Sequence, residues 1–511
     1  MGEQKTTIII IIIIIIIIII IIIIFVDDFN LEGKISDAAK DVRTIIEAQA
    51  ATGLVLNRHK CEIIANNFYL VDKCPNFDDF KRIYKENMTL LGASVLSGRA
   101  TDKVLQEWIS DLDRAINRLS LLQAHDALYL LKNSIAKPKL LHIPRTSTCF
   151  DNPLLASFDG GLRRWLSLVL NVELTDKKWS QVTLPVHMGD LEVRSACMLA
   201  SSAFLVSAAA TLPLQDSVLS GSTQGAEQSA VSSATKIWTS QAQTATPVEA
   251  VRHIQKAWDT PIAAKVFEKI LTDASNTQTD TVRLRPAATP HAGDWLHAPP
   301  ITAVWIRLSD EAIRIAVGFR LGSRTCQPHS CVCGAMVDAK GMYGLSCKRS
   351  APRQIRHAQM NDIIWRSVKK RSIRLSRNRL VVTVRQKKTG WDNDDPMEER
   401  NPLALDVTIP DTFANSYIGE TSTRATAAED RTAKNKTTKY TDLANTHHFE
   451  PIAIETIGAW NELALEFFTE LWMRISGVTQ EPRETQFLFQ RLSISLQRGN
   501  AIAFKNTFNS E

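Results

Sequence analysis

The chain has 511 residues, 44% of them hydrophobic and 22% charged, with 21 glycines and 19 prolines. This length is too great for one core, and the composition excludes a collagen-like, wholly disordered or disulfide-scaffold protein, so roughly two to four globular domains are expected. Net charge is +6 but uneven: residues 348–388 hold fourteen Lys and Arg against the single acid Asp362, leaving the rest of the chain net acidic. Such a basic segment points to a polyanionic partner, first of all nucleic acid, with a solvated charge run as the alternative.

Seventeen isoleucines, Ile8 to Ile24, follow the first seven residues. As a helix, residues 8–26 would rise about 28 Å at about 1.5 Å per residue, just enough to cross a bilayer. Against a membrane span stand the β propensity of isoleucine, the lack of a Trp/Tyr interface belt, the lack of a small-residue cleavage site, and two aspartates at the end of the run. Residues 1–24 are therefore expected to be a low-complexity segment, with a membrane anchor as the lesser alternative.

Phe25-Val26-Asp27-Asp28-Phe29 follows, two adjacent carboxylates at the end of an apolar run. Paired carboxylates at a hairpin tip can hold divalent metal ions such as Mg2+. Residues 36–52 have helical spacing in Ala39, Val42, Ile45, Ile46 and Gln49, with Ser36 as N-cap and Gly53 as the stop. Leu54–Leu56 and Glu62–Ile64 are expected as two strands around a polar turn that carries Lys60. Leu90-Leu91-Gly92 comes about thirty residues later.

Residues 101–133 carry one apolar stripe from Val104 to Leu122, with Thr101 or Asp102 capping the start and Pro138 closing the region. His125-Asp126 reads as a structural cap or hydrogen bond, not as catalysis. Residues 150–210 are another helical unit. Residues 211–250, rich in Ser, Thr, Gln and Ala, are expected as a linker, and a Pro-containing break follows at 273–300. Ser309 caps a short helix, Ala312 to Leu321.

Cys61, Cys74, Cys149 and Cys197 are scattered, whereas Cys326, Cys331, Cys333 and Cys347 cluster, with His329 and His357 nearby. This suits a reducing compartment, nucleus or cytoplasm, and one tetrahedral Zn2+ site. Beyond the basic segment, Leu403–Asp411 is expected as a buried strand carrying Asp406. A polar helix then holds Glu429, Lys434, Lys436, Lys439 and Tyr440. Phe449–Thr456 is a second strand with Glu455 near its end, and residues 459–505 are helical.

The order of these parts resembles the back half of a non-LTR retrotransposon reverse transcriptase. Phe25-Val26-Asp27-Asp28 is similar to that family's metal-binding palm motif. Gly53 to Asn57 with Lys60-Cys61-Glu62 resembles the motif that follows it, and Leu90-Leu91-Gly92 the primer-grip hairpin. Resemblance extends through His125 to Ser134, Pro138 to Leu141, and Leu184 to Ala196, where Asp190 and Glu192 replace two glycines of the family pattern. Glycines with positive φ in those places would make each replacement cost about 1 kcal/mol or more.

Cys331-Val332-Cys333 and Gly341 to Cys347 with Arg353, Arg356 and His357 resemble the family's zinc-knuckle. There the family's histidine is Tyr343, which leaves the fourth zinc ligand to His357, His329, Cys326 or water and implies weakened or absent zinc. Asp406, Lys436, Lys439 and Glu455 match acids and lysines of the family's restriction-like endonuclease. Gln497-Arg498-Gly499-Asn500-Ala501 matches its ending.

The resemblance implies an α+β multidomain chain. It assigns a partial reverse-transcriptase palm (25–100), a helical thumb region (101–210), a linker (211–300), a zinc-knuckle-like element (301–360) and an α/β restriction-endonuclease-like domain (361–511). It implies catalytic roles for Asp27, Asp28, Lys60, Asp406, Lys436, Lys439 and Glu455. It implies zinc ligation by Cys331, Cys333, Cys347 and His357. Arg353, Arg356, Lys369, Lys370, Arg371 and Arg374 would contact nucleic acid, and the partners would be the element's transcript RNA and its target DNA. No aspartate precedes Asp27 in this sequence, so no polymerase activity is expected. Mg2+-dependent nicking of DNA and non-catalytic binding are the two remaining expectations.

Overall fold

The isoleucine run begins as a strand, not a helix. In the computed structural model, β1 (Ile8–Ile12) pairs antiparallel with β2 (Phe29–Gly33), Ile10 lying opposite Leu31. Its other edge meets β3 (Glu62–Ala65), Ile10 opposite Ile63, and β4 (Lys81–Ile83) adds parallel to β3. β-Branched residues suit such a central position. No helix among the described residues is long and apolar enough to cross a membrane. The structure describes residues 8–12 and 29–508, apart from 52, 54, 66, 91, 95–96, 220–225, 276–277, 348, 350, 370–373, 377–380, 384–402, 415, 445–446 and 482.

Between β2 and β3 runs α1 (Ile35–Ala51), whose Ala38, Ala39 and Val42 bury against Ile63, Phe77 and Phe80. The helix starts before Ser36, so that residue lies in the first turn and is not the cap. Val55 and Leu56 form no strand; a short 3-10 turn, Arg58–Lys60, leads straight into β3. After the short α2 (Phe68–Val71), β5 (Thr89–Leu90) and β6 (Ala93–Ser94) make the expected tight hairpin, with Gly92 at φ 77°.

A helical body follows. α3 (Arg99–Leu119) starts after Gly98, so Thr101 and Asp102 lie inside its first turn. α4 (Ala124–Leu130) continues through a π-helical segment, Leu131–Ala136, into α5 (Lys137–Thr146). Pro138 therefore lies at the second residue of α5 within a continuous helical run and does not close the region. α6 (Leu154–Leu170) packs on α3 with the Trp108 and Phe158 rings stacked 3.9 Å apart. α7 (Asp176–Val182) and α8 (Ala196–Leu219) complete this layer.

The stretch expected to be a linker is largely helical. α9 (Ala226–Ala242), α10 (Gln255–Ala274) and α11 (Gln278–Ala287) occupy most of it. Trp238 and Trp258 are buried edge to face, 5.0 Å apart, and Trp238 Nε1 donates to the Trp258 carbonyl at 3.0 Å. Two buried indoles with Leu205, Val206 and Ile262 form a small core that the weakly polar composition concealed. α12 (Asp310–Leu321) then begins as expected, with the Ser309 hydroxyl accepting from the Ala312 N–H at 3.3 Å.

The remaining elements are the β7 (His329–Ser330) and β8 (Met336–Val337) hairpin, α13 (Ala351–Lys369), β9 (Arg374–Ser376), β10 (Val381–Thr383) and β11 (Leu403–Thr408). α14 (Ile418–Thr423), α15 (Ala427–Lys439), α16 (Thr441–Ala444), β12 (His448–Ala453), α17 (Glu462–Thr479) and α18 (Glu484–Lys505) follow. The sheet order is β12-β11-β10-β9: β9, β10 and β11 run antiparallel, while β12 returns parallel to β11 after the helices.

α18 ties the halves together. Its Leu488, Phe489, Leu492 and Leu496 face the mixed sheet, and its Ile494, Ala501 and Phe504 enter the core of the helical body. The chain is thus α+β, mostly helical, with a few small sheets.

Candidate metal centre and acid–lysine site

The β7–β8 hairpin and the turn at Met342–Leu345 bring three cysteines together. The Sγ atoms of Cys331, Cys333 and Cys347 all lie within 4.8 Å of one another, and Cys331 and Cys347 are 3.7 Å apart. A zinc–thiolate bond of about 2.3 Å makes the sulfur–sulfur edge of a tetrahedron about 3.8 Å, so the trio can hold a metal such as zinc. Such an ion would be structural, cross-linking the hairpin to the turn. Gly341 and Gly344 of this turn lie directly against Phe504 of α18, which seats the element on the helical body.

The fourth donors expected from the sequence are engaged elsewhere. His357 Nε2 donates to the Val407 carbonyl at 2.7 Å, and its Nδ1 accepts from Asn361. His357 therefore fastens α13 to β11 and is not a ligand. His329 bonds the Thr507 hydroxyl at 2.8 Å and stacks on Phe508, while the Cys326 thiol donates to the Asp338 carbonyl at 3.3 Å. What does approach the trio is Tyr343, whose Oη is 3.0 Å from Cys333 Sγ. That hydrogen bond is the main reason the Cys333 thiol is pulled down to about 6, whereas burial pushes Cys331 up to about 11.

In the mixed sheet, Asp406 of β11 and Lys436 of α15 are an ion pair at 2.8 Å, each side chain about a quarter exposed. Glu455, just past β12, is not beside them in a metal-holding group. It is fully buried and its carboxyl meets that of Glu429, also fully buried, on α15. Burial pushes both acids well above the ordinary carboxylate range, since two like charges in contact without water cannot both ionise. Sequence reading missed Glu429 as a partner, because a polar helix gives no sign of which face turns inward. Lys439 is exposed and lies 5.4 Å over the Tyr440 ring.

Among the described residues, the cysteine trio is the one group of three or more His, Cys, Asp or Glu whose donor atoms converge. The expected Mg2+ is thus without support among the described residues. Asp27 and Asp28 lie outside the described residues, and Lys60 is exposed on its 3-10 turn.

Of the expected nucleic-acid contacts, Arg353 is exposed on α13. Arg356 is not available: it is 1% exposed, lies across Gly499 and donates through Nη1 to Asn500 Oδ1 at 2.6 Å. A Cβ at position 499 would sit 2.7 Å from Arg356 Cγ, which is why that place takes glycine. Lys369 ends α13 and Arg374 opens β9, while Lys370 and Arg371 lie outside the described residues.

Other motif residues are structural. Leu308 N–H donates to His125 Nδ1 at 3.0 Å, and burial pulls this imidazole down to about 4, so it stays neutral; Asp126 pairs with Arg307. Asp159 accepts from the Ala196 N–H at 2.7 Å and caps α8, and Arg194 pairs with Asp259 at 3.0 Å. Glu192 has φ 59°, a left-handed conformation that favours glycine. Asp190 has no such strain; it is fully buried, and Arg320 and Arg283 oppose the burial that pushes its carboxyl up to about 7.

No family model matches the chain, and no curated protein is similar to it.

Proposed function

We propose that the chain is a retrotransposon reverse-transcriptase-type polypeptide that binds nucleic acid. The observation that carries this reading is the course of the basic segment. Residues 348–388, with fourteen cations against one acid, supply α13, β9 and β10. β10 pairs directly onto β11, the strand of Asp406. Arg374 of β9 thus lies in the same sheet as the Asp406 strand, and Arg353 is exposed on α13, places from which cations can meet a phosphate backbone. Element RNA and target DNA are the partners the reading implies.

The test is binding of a labelled duplex DNA and a single-stranded RNA across a salt series. Affinity that falls steeply with salt supports the reading; affinity that is absent or insensitive to salt removes it.

The Asp406–Lys436 pair favours a second reading, residual Mg2+-dependent DNA cleavage. Buried Glu429 and Glu455 weigh against it, because neutral, enclosed carboxyls are poor ligands for a hard cation. A plasmid-nicking assay separates the two. Metal-dependent loss of supercoiled DNA that disappears in Asp406→Ala and Lys439→Ala supports cleavage, and its absence supports binding alone.

A further inference from the structure

We infer that Tyr343 is the fourth donor of the cysteine centre, so that Cys331, Cys333, Cys347 and the Tyr343 phenol oxygen form an S3O site for a zinc-class divalent ion. The inference rests on the trio being a metal centre and is independent of the nucleic-acid reading.

Geometry selects the phenol. Oη already sits 3.0 Å from Cys333 Sγ. Zinc–sulfur and zinc–oxygen bonds of about 2.3 and 2.0 Å place a sulfur–oxygen edge at about 3.5 Å, so an entering ion needs that contact to open by only about half an ångström. Tyr343 belongs to the same turn that delivers Cys347, so backbone geometry sets both donors together. The other nearby donors have partners: His357 with Val407 and Asn361, His329 with Thr507, Cys326 with Asp338. When the ion enters, all three cysteines bind as thiolates, and any protons they still carry pass to solvent. The phenol oxygen turns from donating toward Cys333 to coordinating the metal.

The test uses the full chain and Co2+ as the probe, read by absorption. The wild type should take one Co2+ with a thiolate charge-transfer band and the intense visible bands of a tetrahedral ion. Tyr343→Phe should keep the far-ultraviolet circular dichroism of the wild type, bind Co2+ more weakly by about tenfold or more and shift the visible bands as a water replaces the phenol oxygen. Tyr343→His should restore tight tetrahedral binding, and Cys333→Ser should abolish one thiolate's share of the charge-transfer band. Tyr343→Phe with wild-type affinity and an unchanged spectrum would overturn the assignment of the tyrosine. A wild type that shows no thiolate charge-transfer band would overturn the metal centre itself.

Discussion

Lys436 Nζ lies 2.8 Å from Asp406 Oδ2, across the connection that joins the parallel strands β11 and β12. The pair puts a lysine beside a strand acid, yet the acid's negative charge is met by the lysine, and Glu455 is turned inward to Glu429. With Mg2+, supercoiled plasmid should therefore remain intact, and Asp406→Ala should behave as the wild type does. Gel analysis of plasmid topology checks this.

Arg356 should act on stability and Arg353 on binding. Arg356 is enclosed between Gly499, Asn500 and the nearby charge of Asp411. Truncating a buried charged partner costs about 3–5 kcal/mol, so Arg356→Ala should lower the denaturant midpoint sharply. Arg353→Ala, on the exposed face of the same helix, should leave the midpoint within about 0.5 kcal/mol and weaken DNA binding. Chemical unfolding and anisotropy titrations of the two variants distinguish these roles.

The buried Glu429–Glu455 pair makes stability depend on pH. Both folded carboxyls stay protonated above the ordinary glutamate value of 4.5. The unfolded chain releases those protons near 4.5, so above that pH it binds fewer protons than the folded chain and stability falls as pH rises. Below 4.5 both states are protonated and the loss vanishes. Glu429→Gln removes one ionisation and should stabilise the protein at pH 8 while flattening the decline between pH 5 and 8. Thermal unfolding across that range provides the measurement.

Restoring glycine at 190 and at 192 should have opposite effects. Glu192→Gly relieves a left-handed backbone and should stabilise by about 1 kcal/mol. Asp190→Gly removes a fully buried side chain whose carboxyl accepts from the Leu191 N–H and faces Arg320, and should destabilise. Paired unfolding curves for the two variants read both signs.

The elements that were legible in the sequence are those set by local chemistry. The Ser309 cap, the stripe of α3 and the strand of Asp406 each follow from a few neighbouring residues, whereas the hairpin after Leu90 is expected from the resemblance alone. The cysteine trio was legible because its spacing is short. What failed was decided at long range. Residues 226–242 lack charge contrast, and only the meeting of Trp238 with Trp258 shows that they belong to a core. Arg356 reads as one cation among many until α18 closes over it. His357 stands near the cysteines in sequence, but the register of α13 on β11 points it to Val407.

The central claim is that the basic segment grips a nucleic-acid backbone. Its most direct test is the salt dependence of DNA affinity for the wild type and for a variant with Lys369, Lys370, Arg371 and Arg374 all changed to alanine. The wild type should show log affinity falling linearly with log salt, and the variant a slope shallower by about 3.6, at roughly 0.9 for each of four phosphate contacts. Identical slopes and affinities for the two proteins would contradict the account.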